Sequence, residues 1–217
     1  IGMFAFATWN TQKKELFLVR DRLGVKPLYY QKTPEHLIFG SELKALYAHP
    51  EFDNRLSREG LEEFFCFGYT TGKATVFREA YKLPAGHYLH VSCEGKATLT
   101  RYWSLDDVKR GSFKGSFDDA VLTLTGLTDS AFGYRLVSDV PVGVFLSGGI
   151  DSTFLSGSLK KRFGVDLKHI TIGFDDQAYD ETPNAELASR DLDLRHSIKN
   201  ISAVEAQNAL SRFVDIW

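Results

Sequence analysis

Cysteine is nearly missing from this 217-residue chain: only Cys66 and Cys93 are present, with no Cys-x-x-Cys and no Cys/His zinc spacing. Two thiols cannot frame a disulfide scaffold, so a reducing, cytoplasmic setting is expected. Net charge is equally scarce. Lys plus Arg total 26 against 28 Asp plus Glu, a formal −2, which supplies neither a basic field for nucleic acid nor a polybasic membrane anchor. No apolar run is long enough to cross a bilayer, and the apolar opening Ile1 to Ala7 lacks the basic segment of a secretory leader. With nucleic acid and membrane set aside, small-molecule chemistry remains, on a composition whose 43% apolar residues can fill one large core or two smaller ones. The chain opens on Ile1 inside an apparent strand, so a fragment lacking sequence at its front is expected.

What is present is concentrated in Val140-Pro141-Val142-Gly143-Val144-Phe145-Leu146-Ser147-Gly148-Gly149-Ile150-Asp151-Ser152. The valine-rich run reads as a buried strand, Ser-Gly-Gly as a turn, and Thr153 onward has helical apolar spacing. A strand, a glycine turn and a helix start make an anion site, because first-turn N–H groups are unpaired and the helix dipole adds positive charge there. Gly148 and Gly149 permit positive φ and close approach of backbone to phosphate oxygens, and Ser147 and Ser152 add hydroxyls. Asp151 fits an anion site only if a cation such as Mg²⁺ lies between. The Walker lysine is absent. Gly68 to Lys73 imitates that pattern one residue short and continues with Ala74, so it is rejected.

Ser138 through Ser152 resembles the pyrophosphatase loop, Ser-Gly-Gly-x-Asp-Ser, of the synthetase domain in glutamine-hydrolysing asparagine synthetases. The resemblance implies that Ser147, Gly148, Gly149, Ile150, Asp151 and Ser152 hold the pyrophosphate of ATP, with Asp151 on Mg²⁺. It also implies that Leu146, Ile172 and Gly173 flank adenine; from spacing alone, Leu146 and Ile172 are equally well core residues. The chain ends at Asp215-Ile216-Trp217, ahead of the family's second glycine loop.

The front half reads by pattern as a small β-meander. A hairpin spans Gly2 to Arg20, strands follow at Leu28 to Tyr30 and His36 to Gly40, and Ser41 caps a short helix with Leu43 and Leu46. Its words are more specific. Gly2 to Ala7, Arg20-Asp21-Arg22-Leu23-Gly24-Val25-Lys26-Pro27-Leu28 and Ser41 to Leu46 resemble the second half of a class II glutamine amidotransferase domain. In that class an N-terminal cysteine attacks the glutamine amide. This chain has none, so no catalytic residue is assigned to the glutaminase part, and the fragment alone is expected to be inactive. Cys66, in Phe64-Phe65-Cys66-Phe67, is expected to be a buried inert thiol on a helix capped by Ser57, with Leu61, Phe64 and Phe65 on one side. Val76 to Leu83, His87 to Ser92 and Lys96 to Trp103 read as strands. His87 and His90, three apart on one strand, face opposite sides and cannot share a metal.

Asp106 to Gly115 reads as a linker. Ser116 and Asp119 make a capping box for a helix carrying Phe117, Ala120, Val121, Leu124 and Leu127, which Gly126 and Gly133 are expected to interrupt at about 1 kcal/mol each. A helix stripe through Phe154, Leu155, Leu159 and Phe163 stops at Gly164. Strands at Leu167 to Phe174 and Leu194 to Ile201 alternate with a helix begun by a Thr182 cap and Pro183 and ended near Asp191; Ser202 caps a last helix to Phe213. Asp193 stands where the family commonly has glycine, which predicts an untidy helix end. Asp175-Asp176 and Asp180-Glu181 read as a solvated acidic loop.

The expected fold is α/β and α+β. The antiparallel β-rich end of an N-terminal-nucleophile glutaminase domain, with its linker, occupies 1–105; the first part of a parallel-sheet, adenine nucleotide hydrolase-like (Rossmann-like) synthetase domain occupies 106–217. The resemblance implies ATP-dependent, glutamine-hydrolysing amidation of aspartate, with ATP, aspartate and glutamine or ammonia as small-molecule partners, and a possible homodimer. The alternatives are amidation of another carboxylate, a polysaccharide sugar acid or β-lactam precursor, and a catalytically dead ATP-binding remnant.

Overall fold

Aromatic and small residues alternate on β1 (Ala5–Asn10), and the chain turns back into β2 (Glu15–Arg20) in antiparallel register from Ala5↔Arg20 to Asn10↔Glu15. Asn10 holds the turn, its Oδ1 accepting from the Gln12 and Lys13 N–H groups at 3.1 and 3.0 Å. The computed structural model describes residues 2–108, 111 and 113–213; Ile1, parts of the expected linker and Asp215-Ile216-Trp217 lie outside them. The chain divides into two units, residues 1–111 and 112–217.

In the first unit a meander gives way to two sheets. With β3 (Tyr29–Lys32), β4 (Leu37–Gly40), β5 (Ala80–Lys82), β6 (His87–Val91) and β7 (Ala97–Arg101), the orders are β1-β2-β6-β7 and β4-β3-β5, all pairs antiparallel. Leu18, Leu28, Leu83 and Leu89 form the buried cluster. The turn that carries the chain from β2 to β3 is organised by Asp21, 1% exposed. Its carboxylate accepts from the N–H groups of Phe4, Leu23, Val25 and Lys26 at 3.0–3.2 Å. Arg20 braces the same turn from its acceptor side, donating to Lys26 O, Leu83 O and Gly24 O at 2.7–2.9 Å. A buried turn must satisfy its backbone groups, and these two side chains do so. Burial pushes the Asp21 carboxyl up, but the four donors together hold it below its ordinary value.

Helix α1 (Leu43–Tyr47) starts from Glu42 with no side-chain cap, so Ser41 does not cap it. The strand expected over Val76 to Leu83 shrinks to three residues because Thr75 turns inward, its hydroxyl donating to Phe77 O and Ala80 O. Helix α2 (Arg58–Phe67) is capped by Ser57, as expected, and ends at left-handed Gly68. It packs through Gly60, where a Cβ would collide with the Thr75 backbone, and this leaves Phe64, Phe65 (82% exposed), Cys66 and Phe67 facing outward. Cys66 is therefore exposed. His87 donates to Ala85 O, whereas His90 stacks on Phe17, and among the described residues no cluster could hold a metal ion.

The second unit opens with α3 (Phe117–Leu136), started by a reciprocal capping box between Ser116 and Asp119. Gly126 and Gly133 leave it unbroken. Gly133 instead makes room for Phe163 of α4 (Ile150–Phe163), whose ring edge lies 3.4 Å from where a Cβ would stand. Phe132 meets Phe154 edge-on and Asp129 pairs with Arg162 at 2.7 Å, so the side of α3 facing α4 carries Asp129, Phe132 and Gly133. The apolar residues Phe117, Val121, Leu124 and Leu127 are exposed, opposite to what their spacing suggests.

Strands β8 (Gly143–Phe145), β9 (Lys168–Phe174) and β10 (His196–Ile201) form a parallel sheet in the order β10-β9-β8, with α5 (Thr182–Asp191) packed on β9 and β10 and α6 (Ala203–Leu210) following. Val144, Leu146, His169, Thr171 and Gly173 line the buried face; Phe145, 76% exposed, lies on the other. The expected buried strand over Val140 to Leu146 is thus a short, half-covered one at the end of the sheet's order. Asp193 adopts φ +49. Lys160 donates to its carbonyl and to its carboxylate, and so supports the left-handed backbone where glycine would need no support.

Two stability predictions follow from this packing. Asp21→Ala strands four backbone donors and should cost about 3 kcal/mol or more by denaturant unfolding; because the folded carboxyl titrates below its ordinary 3.8, this contribution is complete above that pH and fades as pH falls through the lower folded value. Burial pulls the His169 imidazole below its ordinary 6.5, against the opposing pull of the Leu167 and Arg195 backbones. The folded state then binds fewer protons than the unfolded one, so stability should fall as pH drops below 6.5. His169→Gln should flatten that slope between pH 7 and 5 in thermal unfolding.

Candidate functional site

The last rung of β8 places the site. Leu146 N–H donates to Ile170 O at 3.0 Å and Thr171 Oγ1 donates to Leu146 O at 2.5 Å, which fixes where the chain leaves the sheet. Gly148 then takes φ +76, and a Cβ there would strike the backbone of Asn184 and Ala185 in the first turn of α5. Only glycine satisfies both the left-handed backbone and that approach. Gly149 is the N-cap of α4, extended and without a side-chain cap, and Ile150, 89% exposed, begins the helix at the mouth of the turn.

The two serines hold the loop's shape. Their hydroxyls lie 2.9 Å apart; Ser147 Oγ accepts from Gly149 N–H at 3.3 Å, and Ser152 Oγ accepts from Ser147 N–H at 3.2 Å and reaches Gly149 O at 3.3 Å. Either hydroxyl can be the donor of the pair; the Ser147 proton is free for an external acceptor only when Ser152 donates to Ser147 rather than to Gly149 O. The first intrahelical bond runs from Thr153 N–H to Gly149 O. The N–H groups of Ile150, Asp151 and Ser152 precede it, so they face the mouth without an intrahelical acceptor. Lys160, Lys161 and Arg162 in the last turn complement the dipole at its other end. The arrangement can hold an anion, and Asp151, exposed at its rim, gives a carboxylate through which a divalent cation could be shared with that anion.

The structure brings Ser147 through Ser152 together as one loop. It separates the expected adenine residues by face: the Leu146 side chain, 2% exposed, is on the buried side of the sheet, and Ile172, half-buried, alternates to the other. What Leu146, Ile172 and Gly173 share is main-chain edge at the strand ends. Gly173 is covered by Asn200 and by Thr182, whose Oγ1 stands 2.8 Å from where a Cβ would be.

The acidic loop is ordered by its own carboxylates. Asp176 Oδ1 accepts from Ala178 N–H at 2.9 Å, and Asp180 Oδ1 accepts from the Thr182 N–H and hydroxyl. Thr182 is not the cap of α5; Glu181 holds that position without a side-chain bond, and Pro183 falls in the first turn. Sequence reasoning missed Asn184, Ala185, Thr182 and Asn200 as neighbours of the glycines. Thr182-Pro183 announced a helix start, but nothing local to it said where that start would lie.

The family model for the glutamine amidotransferase domain matches residues 1–103, and that for asparagine synthase matches residues 123–217. The chain is 40% identical over 163 residues to asparagine synthetase (glutamine-hydrolyzing) 3 of Bacillus subtilis, covering 75% of this chain and 26% of that protein. It is 31% identical over 216 residues to asparagine synthetase 1 of the same organism, covering 98% and 33%. A putative asparagine synthetase of Methanocaldococcus jannaschii is 35% identical over 188 residues, covering 84% and 35%. The chain therefore spans about a quarter to a third of the length of these relatives. A solved glutamine phosphoribosylpyrophosphate amidotransferase from B. subtilis is similar over 89% of this chain and 32% of its own, at 14% identity and a TM-score of 0.25.

The two loop glycines should behave differently when substituted. Gly148→Ala forces a Cβ into the α5 backbone and should cost about 2 kcal/mol or more. Gly149→Ala, at φ −71 with Ser147 Oγ 3.4 Å away, should change stability by less than about 1 kcal/mol. Unfolding midpoints compare them; equal small losses would contradict the seating of Gly148 on α5.

Proposed function

The chain belongs to the family of glutamine-hydrolysing asparagine synthetases, and from that premise we propose that the whole protein couples glutamine hydrolysis to ATP-dependent amidation of aspartate. An oxygen of the β-carboxylate attacks the α-phosphorus of ATP, the bond to the β-phosphate oxygen breaks, and pyrophosphate leaves a β-aspartyl-adenylate. Ammonia then attacks the acyl carbon, and the C–O bond to AMP breaks to give asparagine. The names of the curated relatives support aspartate as acceptor over other carboxylates.

The observation that carries this reading is the loop geometry: Gly148 hands β8 to α4 so that the first amides of the helix open at a turn edged by the paired Ser147 and Ser152 hydroxyls. Donors fixed there stabilise the charge that grows on departing pyrophosphate and need not reorganise as it forms. The main-chain edge at Leu146 and Ile172-Gly173 is where adenine would lie, at the carboxyl ends of parallel strands. Asp151 fits Mg²⁺, since its carboxylate is exposed beside the anion opening; bound there, the ion would neutralise phosphate charge. Residues 1–103 belong to the glutaminase part, which supplies ammonia in the whole protein. Cys66 and Cys93 take no part in the reading.

Asp151→Ala in the full-length protein should lower pyrophosphate release at least about 100-fold. The unfolding midpoint should not move, because the side chain is exposed. Turnover preserved within a few-fold would refute the role given to the loop.

A further inference from the structure

Both parts of the proposed nucleotide site lean on the first turn of α5. The Asn184–Ala185 backbone is the surface against which Gly148 sits, and the Thr182 hydroxyl covers Gly173. Whatever places the start of α5 therefore sets the distance between the strand edge at 172–173 and the loop at 147–152. Glu181, the N-cap residue, makes no side-chain bond, and Pro183 offers no N–H to anchor.

We infer that Asp180 is the residue that sets this distance, a positioning residue for ATP that touches neither base nor phosphate. Its Oδ1 accepts from Thr182 Oγ1 at 2.5 Å and from Thr182 N–H at 3.2 Å. The Thr182 hydroxyl and backbone, with a further contribution from the Phe174 backbone, hold its carboxyl below the ordinary value. Phe174 is the last residue of β9. The Thr182 hydroxyl that Asp180 holds is also the group standing over Gly173, so one carboxylate fixes both the helix turn that seats Gly148 and its approach to the strand that carries Ile172-Gly173. In the same acidic loop Asp176 serves elsewhere, accepting from Ala178 N–H. An error of about 1 Å in such a spacing is enough to weaken a multi-point ligand strongly.

The inference rests on the reading of the loop as a site for ATP, and the test separates the two. In the full-length protein, Asp180→Ala should raise KM for ATP about tenfold while kcat and KM for glutamine stay within about threefold, the signature of lost binding rather than lost chemistry. Asp180→Asn keeps an acceptor oxygen for Thr182 and should return KM for ATP to within about threefold of the wild type. Adding Thr182→Ala to Asp180→Ala should make ATP binding no worse, since the two act as one unit. If Asp180→Ala fails to fold, Thr182→Ala alone should raise KM for ATP about threefold. The inference is overturned if KM for ATP stays within twofold, if every KM rises together with a loss of kcat and of thermal stability, or if Asn is no better than Ala. A wild-type protein that releases no pyrophosphate would remove the reaction and leave this question open to direct measurement. Calorimetric titration with a non-hydrolysable ATP analogue should then show about tenfold weaker binding to Asp180→Ala, and equal binding would refute the positioning role.

Discussion

The close approach of Gly148 to the first turn of α5 is the contact on which the second unit's site depends. A Cβ would be driven into the Asn184 and Ala185 backbone, and φ +76 would strain any other residue. With the glycine in place, β8 passes into α4 within four residues, and the helix begins with its first amides open. The serine pair, the exposed Asp151 and the main-chain edge of β9 take their positions relative to that contact.

The two units meet the same physical problem in opposite ways. A tight turn gathers backbone N–H groups that need an acceptor. In the first unit the chain supplies one itself, since Asp21 fills the turn after β2 and closes it. After β8 no carboxylate fills the turn. Asp151 stays exposed on the first turn of α4 and the Ser147 and Ser152 hydroxyls lie against each other, which leaves the first amides of the helix without a side-chain acceptor from the turn. A filled turn is a structural brace, whereas one held open by its own hydroxyls has the chemistry of a site. Asp180 belongs with Asp21 in this respect, as a carboxylate spent on backbone position.

Features that depend on a few neighbouring residues were legible in the sequence. The Ser116/Asp119 box, the Ser202 cap, the Asn10 turn, the Gly164 stop and the strand–glycine–helix order around Ser147 are set by chemistry within one turn of chain. Features that depend on burial were not. Phe64 and Phe65 have the spacing of a packed face but point outward, because α2 docks through Gly60. The same misreading recurs on α3, where Gly133 marks the packed side and Phe117, Val121 and Leu124 the exposed one. In both helices the glycine located the contact better than the large side chains did, since close approach needs space before it needs apolar area.

By itself the sequence determined that a glycine turn would follow a strand and open a helix at Ser147 to Ser152, because glycine conformation and a helix start are local properties. Only the tertiary structure decided that this turn would rest on Asn184 and Ala185, and that Leu146 and Ile172 would point to opposite sides of the sheet. Those relations join residues more than twenty positions apart, beyond the reach of any local pattern, and the second follows from the parallel register of β8 with β9.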